Sequence, residues 1–196
     1  MPKHRLLLPL FVFVAALALA ACGGSSESDE DKVVDVIETS VTSDDPAGCT
    51  EFVTQTFLDQ SEEGEGKAAL KECEEDAADT SDNPDSVDVT EVEVDGSNAT
   101  ANAAFVGGGF DGQTLSVALV EEDGDWKLDE ITGFAEFDQA KLAGAFQEQL
   151  EKEGSIEPAI TSCIVESLEE LNQAEFEELL LGGSSEGFVE IAEACQ

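Results

Sequence analysis

The sequence predicts an α+β protein: three N-terminal helices on a curved four-stranded antiparallel sheet, then a small C-terminal helical domain stapled by a disulfide. Three patterns carry this reading. Apolar residues recur at helical spacing up to about residue 80. Alternation then takes over between 86 and 134, punctuated by three Asp-Gly pairs, after which helical spacing returns with two cysteines of its own.

In the first part, Val33, Val34, Ile37 and Val41 form a helical stripe over 32–43. Asp45-Pro46 opens a second helix, expected to reach about Gln60, because proline is tolerated in a first helical turn. "SEEGEGK" reads as a loop, and a third helix spans about 67–78. "TSDNPDS" ends it, since Pro84 biases the residue before it away from helix.

The Asp-Gly pairs at 95–96, 111–112 and 123–124 are hairpin signals, because both residue types accept positive φ. Between them Ala99, Ala101, Ala103 and Phe105 alternate, as do Leu115, Val117 and Leu119. Strands are expected at about 86–95, 98–107, 113–122 and 125–134. The apolar phase slips between Val89 and Val92 and between Leu128 and Ile131, and each slip marks a bulge that bends the sheet.

After Gly133, Leu142, Ala145, Phe146 and Leu150 form a new helical stripe. Pro158 opens a helix to about Asn172, and Phe176, Leu179 and Leu180 belong to a short third one. Gly182-Gly183 breaks it, and Ser184 or Ser185 caps a last helix that runs through Cys195. The segment 135–196 is small enough to need a staple if it is to fold as a unit.

Cys49, Cys73, Cys163 and Cys195 each share a helical face with apolar neighbours, so each points into a local core. An exported chain meets an oxidising environment, where four cysteines suggest two bridges with three possible connectivities. The positions favour the sequence-near pairs, 49–73 and 163–195, each worth about 3–4 kcal/mol in the chain-entropy view. Zinc is the competing use; without a histidine beyond His4 and without a CxxC spacing, the bridges are preferred.

Export itself is read from the first 31 residues. Lys3, His4 and Arg5 precede an unbroken apolar run from Leu6 to Ala21, the layout of a secretory signal at 1–21. Sixteen residues fall short of the roughly 20 that a membrane-spanning helix needs. Leu19-Ala20-Ala21-Cys22 resembles the lipobox of bacterial lipoproteins. That resemblance implies cleavage before Cys22, a diacylglyceryl group on its thiol, and lodging on the extracytoplasmic face of the cell membrane. Two acyl chains hold a protein stably where one does so marginally. Residues 22–31 then serve as a flexible acidic tether; an ordinary signal peptide with a chance cysteine is the alternative.

The formal net charge is −38, and loss of residues 1–21, which hold Lys3 and Arg5, takes it to −40. Such a body repels nucleic acid and anionic membrane surfaces. The acids read as a solvated surface, compatible with a salty exterior where screening relieves self-repulsion. "EEDGDWKLDE" lacks the ligand spacing of an EF-hand loop, so diffuse cation binding is all it offers.

Three helices followed by a meander closed by "VEEDGDWKLDEI" resemble the nuclear-transport-factor-two-like superfamily, over roughly 32–134. The resemblance implies a cone-shaped α+β domain; enzymatic relatives, such as ketosteroid isomerases, carry Asp, His or Tyr at the cone mouth. Beyond residue 21 this chain has no His, Arg or Tyr, so those roles do not transfer, and Ser-His-Asp or Cys-His devices are excluded. "FVGGGFDG" bridges two strands and reads as a hairpin tip with Phe110 exposed, a candidate for partner or membrane contact. Trp126 reads as core packing ahead of ligand stacking.

The expected role is a non-enzymatic module, without cofactor or metal, binding a small apolar ligand or an envelope protein. A carboxylate-dependent hydrolase, isomerase or dehydratase is the alternative, and a ligand-free spacer the third. Cys22→Ser is expected to release the protein from membranes into the soluble fraction, as fractionation would show; continued retention contradicts the anchor.

Overall fold

The computed structural model describes residues 27–196 apart from 63, 79, 81–82, 154–155 and 182–185. The signal segment, Cys22 and the cap expected at Ser184 or Ser185 lie outside the described residues, as do residues 22–26 of the tether; its end, 29–31, is helical and not a flexible linker, because it forms the capped first turn of α1. The architecture is α+β. Helices α1 (Asp29–Thr42), α2 (Gly48–Glu51), α3 (Gln55–Ser61) and α4 (Lys67–Asp76) precede strands β1 (Ser86–Asp95), β2 (Asn98–Val106), β3 (Thr114–Glu122) and β4 (Asp125–Glu136). Helices α5 (Gln139–Glu153), α6 (Pro158–Glu169), α7 (Gln173–Leu181) and α8 (Glu186–Ala194) follow. The strands form one antiparallel meander in chain order.

Helix α1 starts at Asp29, three residues before the expected boundary, because Ser28 and Asp31 make a reciprocal capping box. Its buried face is Val33 and Ile37. The single helix expected over 46–60 is instead two, α2 and α3. Between them the chain is drawn straight against β4: the Leu128 N–H donates to the Phe52 carbonyl and the Thr54 N–H donates to the Leu128 carbonyl, both at 2.9 Å. Val53 thereby makes an isolated parallel bridge to Leu128. Thr54 then restarts the helix, its hydroxyl accepting the Phe57 N–H.

The hairpins use two different turns. Asp95 pairs with Asn98, so Gly96 and Ser97 are the central residues, with positive φ at Gly96. Glu122 pairs with Asp125, placing Asp123 (φ 55°) and Gly124 (φ 99°) at the centre, a type I′ turn. Both anticipated bulges are present. Pairing slips between Thr90 and Glu93, with Glu91 at φ 51°, and Asp129 is left without a partner on β3.

Strand β4 carries more. Thr132 and Ala135 are also unpaired, so a bulge recurs at every third residue. Between the bulges Leu128, Ile131 and Phe134 turn their free backbone groups toward the sheet edge, and each pair of groups is taken up. Phe52 and Thr54 take those of Leu128. The Gln60 side chain donates to the Ile131 carbonyl at 2.9 Å and accepts its N–H at 2.8 Å. Glu177 accepts the Phe134 N–H at 3.0 Å, while Gln173 donates to its carbonyl at 3.1 Å. An edge strand that would otherwise offer unpaired groups is covered along its length.

The C-terminal helices join the same core. Phe134 packs edge-on to Phe137 at 5.0 Å between ring centroids, and Phe137 meets Phe176 at 5.4 Å. Leu142, Ile164, Leu168 and Phe176 are continuous with the buried residues of the sheet. Disulfides Cys49–Cys73 and Cys163–Cys195 tie α2 to α4 and α6 to the residue after α8.

Gln113, 1% exposed, joins the sheet to α5: its amide donates to the Asp138 carbonyl and accepts the Asp138 N–H, each at 2.9 Å. Gln113→Met keeps the volume but leaves two backbone groups unpaired. It is expected to cost about 2–3 kcal/mol in denaturant unfolding, with faster hydrogen exchange at Asp138. A loss below about 0.5 kcal/mol would contradict that role.

Candidate functional site

The curvature leaves a cavity of about 210 Å³ between the helices and the inner face of the sheet. Ile37 and Val41 of α1 and Phe57 of α3 form one wall; Ala103, Phe105, Leu115, Val117, Leu128 and Ile131 of the sheet form the other. Asn83, Pro84, Gly107, Gly109 and Phe110 close one end. Asn83 is the one polar side chain among these residues, and none of them is ionisable. A void of roughly 150 Å³ lined by aliphatic and aromatic groups stays dry and takes up benzene, so this one suits a single ring or a short alkyl chain.

The lid of the cavity is the hairpin tip between β2 and β3. Gly107 and Gly108 have φ of 77° and 68°, which side chains rarely adopt. A Cβ at Gly107 would also lie 2.9 Å from the Asp85 carboxylate. The Asp111 carboxylate accepts the Gly107 N–H at 2.7 Å, and the Gly112 N–H donates to the Phe105 carbonyl at 3.0 Å. This folding carries Phe110 back over Phe105, with ring centroids 5.8 Å apart. Phe110 is therefore half-buried and lines the cavity, a correction to the exposed tip expected from sequence. The cause is local: positive φ at two successive glycines reverses the chain before Phe110.

Trp126 is 2% exposed at the start of β4, in the packing role read from sequence, with its indole N–H buried. Lys127 beside it donates to the Thr50 carbonyl at 2.9 Å and pairs with Glu122 at 3.5 Å. The "EEDGDWKLDE" stretch forms the β3–β4 hairpin and sends Trp126 into the core.

Carboxylates converge elsewhere. One oxygen from each of Glu62, Glu72 and Asp76 lies within 4.8 Å of the others. Burial pushes the Glu62 carboxyl above its ordinary range, and the charges of Glu72 and Asp76 push the same way. Sequence reasoning missed this cluster because two residues lie on α4 and the third just past α3, joined only by the fold. Glu177 moves oppositely, held low by the Gln173 amide and then by the Phe134 N–H.

Cys49, Cys73, Cys163 and Cys195 are in disulfides and outside the cavity lining, so they brace the site from a distance. No family model, curated protein or solved structure matches the chain.

A carboxyl whose pKa is higher folded than unfolded favours the folded state when protonated. That contribution is complete at low pH and is lost as pH rises from the unfolded value of 4.5 through the folded one. Glu62→Gln is therefore expected to raise the melting temperature at pH 7 by a few degrees, a gain that vanishes on acidification below pH 4.5. A destabilised variant at neutral pH would contradict the repulsion.

Proposed function

We propose that this chain is a lipid-anchored extracytoplasmic protein whose curved sheet binds a small apolar molecule. The observation that carries the binding role is the cavity: about 210 Å³, walled by aliphatic and aromatic side chains, with Asn83 the one polar side chain among its described lining residues. Concave apolar sites with few polar groups are the usual form of small-molecule pockets, and this one lies below the roughly 300 Å³ at which drug-sized sites begin.

The anchor rests on Leu19-Ala20-Ala21-Cys22 behind an apolar run. The two disulfides fit the oxidising surroundings that such an anchor implies. The arrangement of α1–α4 against a bent meander is in keeping with the cone plan of the nuclear-transport-factor-two-like superfamily, and α5–α8, with their own disulfide, with a stapled helical appendage. A binding role is favoured over a carboxylate enzyme by the lining itself. Acid–base chemistry needs an ionisable group within hydrogen-bond reach of the reacting atom, and among the described residues the cavity wall offers none. An open cavity also argues against a pure spacer.

Benzyl alcohol is a suitable probe, being one ring with one hydroxyl. Saturation-transfer NMR on the full chain is expected to show it bound. Val41→Phe, placed at a half-buried wall position, fills the space and is expected to weaken binding at least about tenfold while leaving the melting temperature unchanged or higher. Unaltered binding in a folded Val41→Phe chain would refute the cavity as the site.

A further inference from the structure

Two carboxylates stand at the glycine-rich end of the cavity. Gly107, part of the lining, is bracketed by two exposed carboxylates: Asp111 accepts its N–H at 2.7 Å, and Asp85 lies against its Cα, 2.9 Å from where a Cβ would stand. The nearest cation of that loop, Lys141, packs against Gly112, which is outside the cavity lining, and sits 4.0 Å from Asp138. With Lys152, Glu148 and Asp111 itself it lines an adjoining groove that shares Gly107 and Gly109 with the cavity. Aromatic faces line the path inward, with Phe105 and Phe110 on the loop side and Phe57 opposite. Around all of this lies a chain of formal net charge −38, whose field raises the local concentration of cations and lowers that of anions.

We infer that the ligand of this cavity is a small cationic amphiphile: a primary or substituted ammonium group on a single ring or short alkyl chain. The inference rests on the binding role proposed above and adds the ligand's charge. The apolar part fills the space between Val41 and Ile131, and the ammonium remains at the rim on the Asp85 side of Gly107, where it keeps contact with water. Leaving the charge at the rim avoids the large penalty of burying an ion in an apolar pocket. The aromatic rings near the rim add attraction for a cation over their faces. A carboxylate of the same shape meets Asp85 as a like charge, within the field of a chain of formal net charge −38.

Three probes of one shape separate the possibilities: benzylammonium, benzyl alcohol and benzoate, titrated by ligand-observed NMR into the full chain at low salt. The expected order is benzylammonium about fivefold tighter than benzyl alcohol, with benzoate weakest. The preference should fall by about half in Asp85→Asn, and should largely disappear near 1 M salt, where the Debye length is about 3 Å. Val41→Phe should remove binding of the alcohol and the ammonium together. Equal affinities, or tighter benzoate, would overturn the cationic ligand and leave the cavity role standing. Absence of binding by all three would overturn the cavity role itself. A cation preference that survives Val41→Phe would place the attraction on the general surface and overturn the inference.

Discussion

The period of three along β4 is the constraint on which the rest of the structure depends. An unbroken antiparallel strand turns alternate residues outward, two apart. Unpaired Asp129, Thr132 and Ala135 stretch that spacing to three, so Leu128, Ile131 and Phe134 all offer their free N–H and carbonyl at the same edge. Each bulge adds right-handed twist, and three in succession curl the sheet. The freed groups lie at a part-buried sheet edge, and leaving such a group unpaired once it is cut off from water costs about 1–3 kcal/mol. Their satisfaction therefore dictates what must dock: backbone of Phe52 and Thr54, the Gln60 amide, and Gln173 with Glu177. The Thr54 hydroxyl adds a bond of 2.7 Å to the carboxylate of the bulged Asp129.

Both helical groups are thus held to one strand, from opposite ends of the sequence. Docking at Leu128 and Ile131 places α3, and with it Phe57, over the hollow of the curled sheet. Docking at Phe134 fixes α7, from which Phe176 reaches the core at 0% exposure. The disulfides strengthen each group internally and do not join the two. Ion pairs contribute little: the four between described residues are mostly solvent-exposed, and such pairs are worth about 0–1 kcal/mol. Side-chain amides do much of the bonding between elements, as the half-buried Gln60 and the buried Gln113 show. The amide of Gln139 likewise reaches the carbonyls of Glu169 and Leu171 at the end of α6.

Much of this was legible in the sequence, because local signals agree with the final fold. Strand limits at 86–95, 98–107, 113–122 and 125–134 fall within two residues of those observed, since alternation and Asp-Gly turns are local. The sequence-near disulfide pairing followed from cysteines sharing faces with apolar neighbours. The break between α2 and α3 was not legible: its cause is Leu128, more than seventy residues away. The period of three was written in Leu128, Ile131, Phe134 and Phe137, although only its first step was read as a bulge. Of the site, the cavity walls were visible as alternating residues, but Phe110 was misplaced because glycine φ values set its direction. The Glu62, Glu72 and Asp76 cluster carries no sequence pattern at all.

A sheet curled by β4 and covered by α1 and α3 holds an apolar hollow open to a small guest. Methyl NMR of the protein under xenon tests it most directly, because xenon enters apolar voids without needing any polar partner. Shifts are expected at Ile37, Val41, Leu115, Val117, Leu128 and Ile131, saturating with pressure. Methyls unmoved at these positions, or shifts confined to exposed Val106 and Val189, would contradict the apolar hollow.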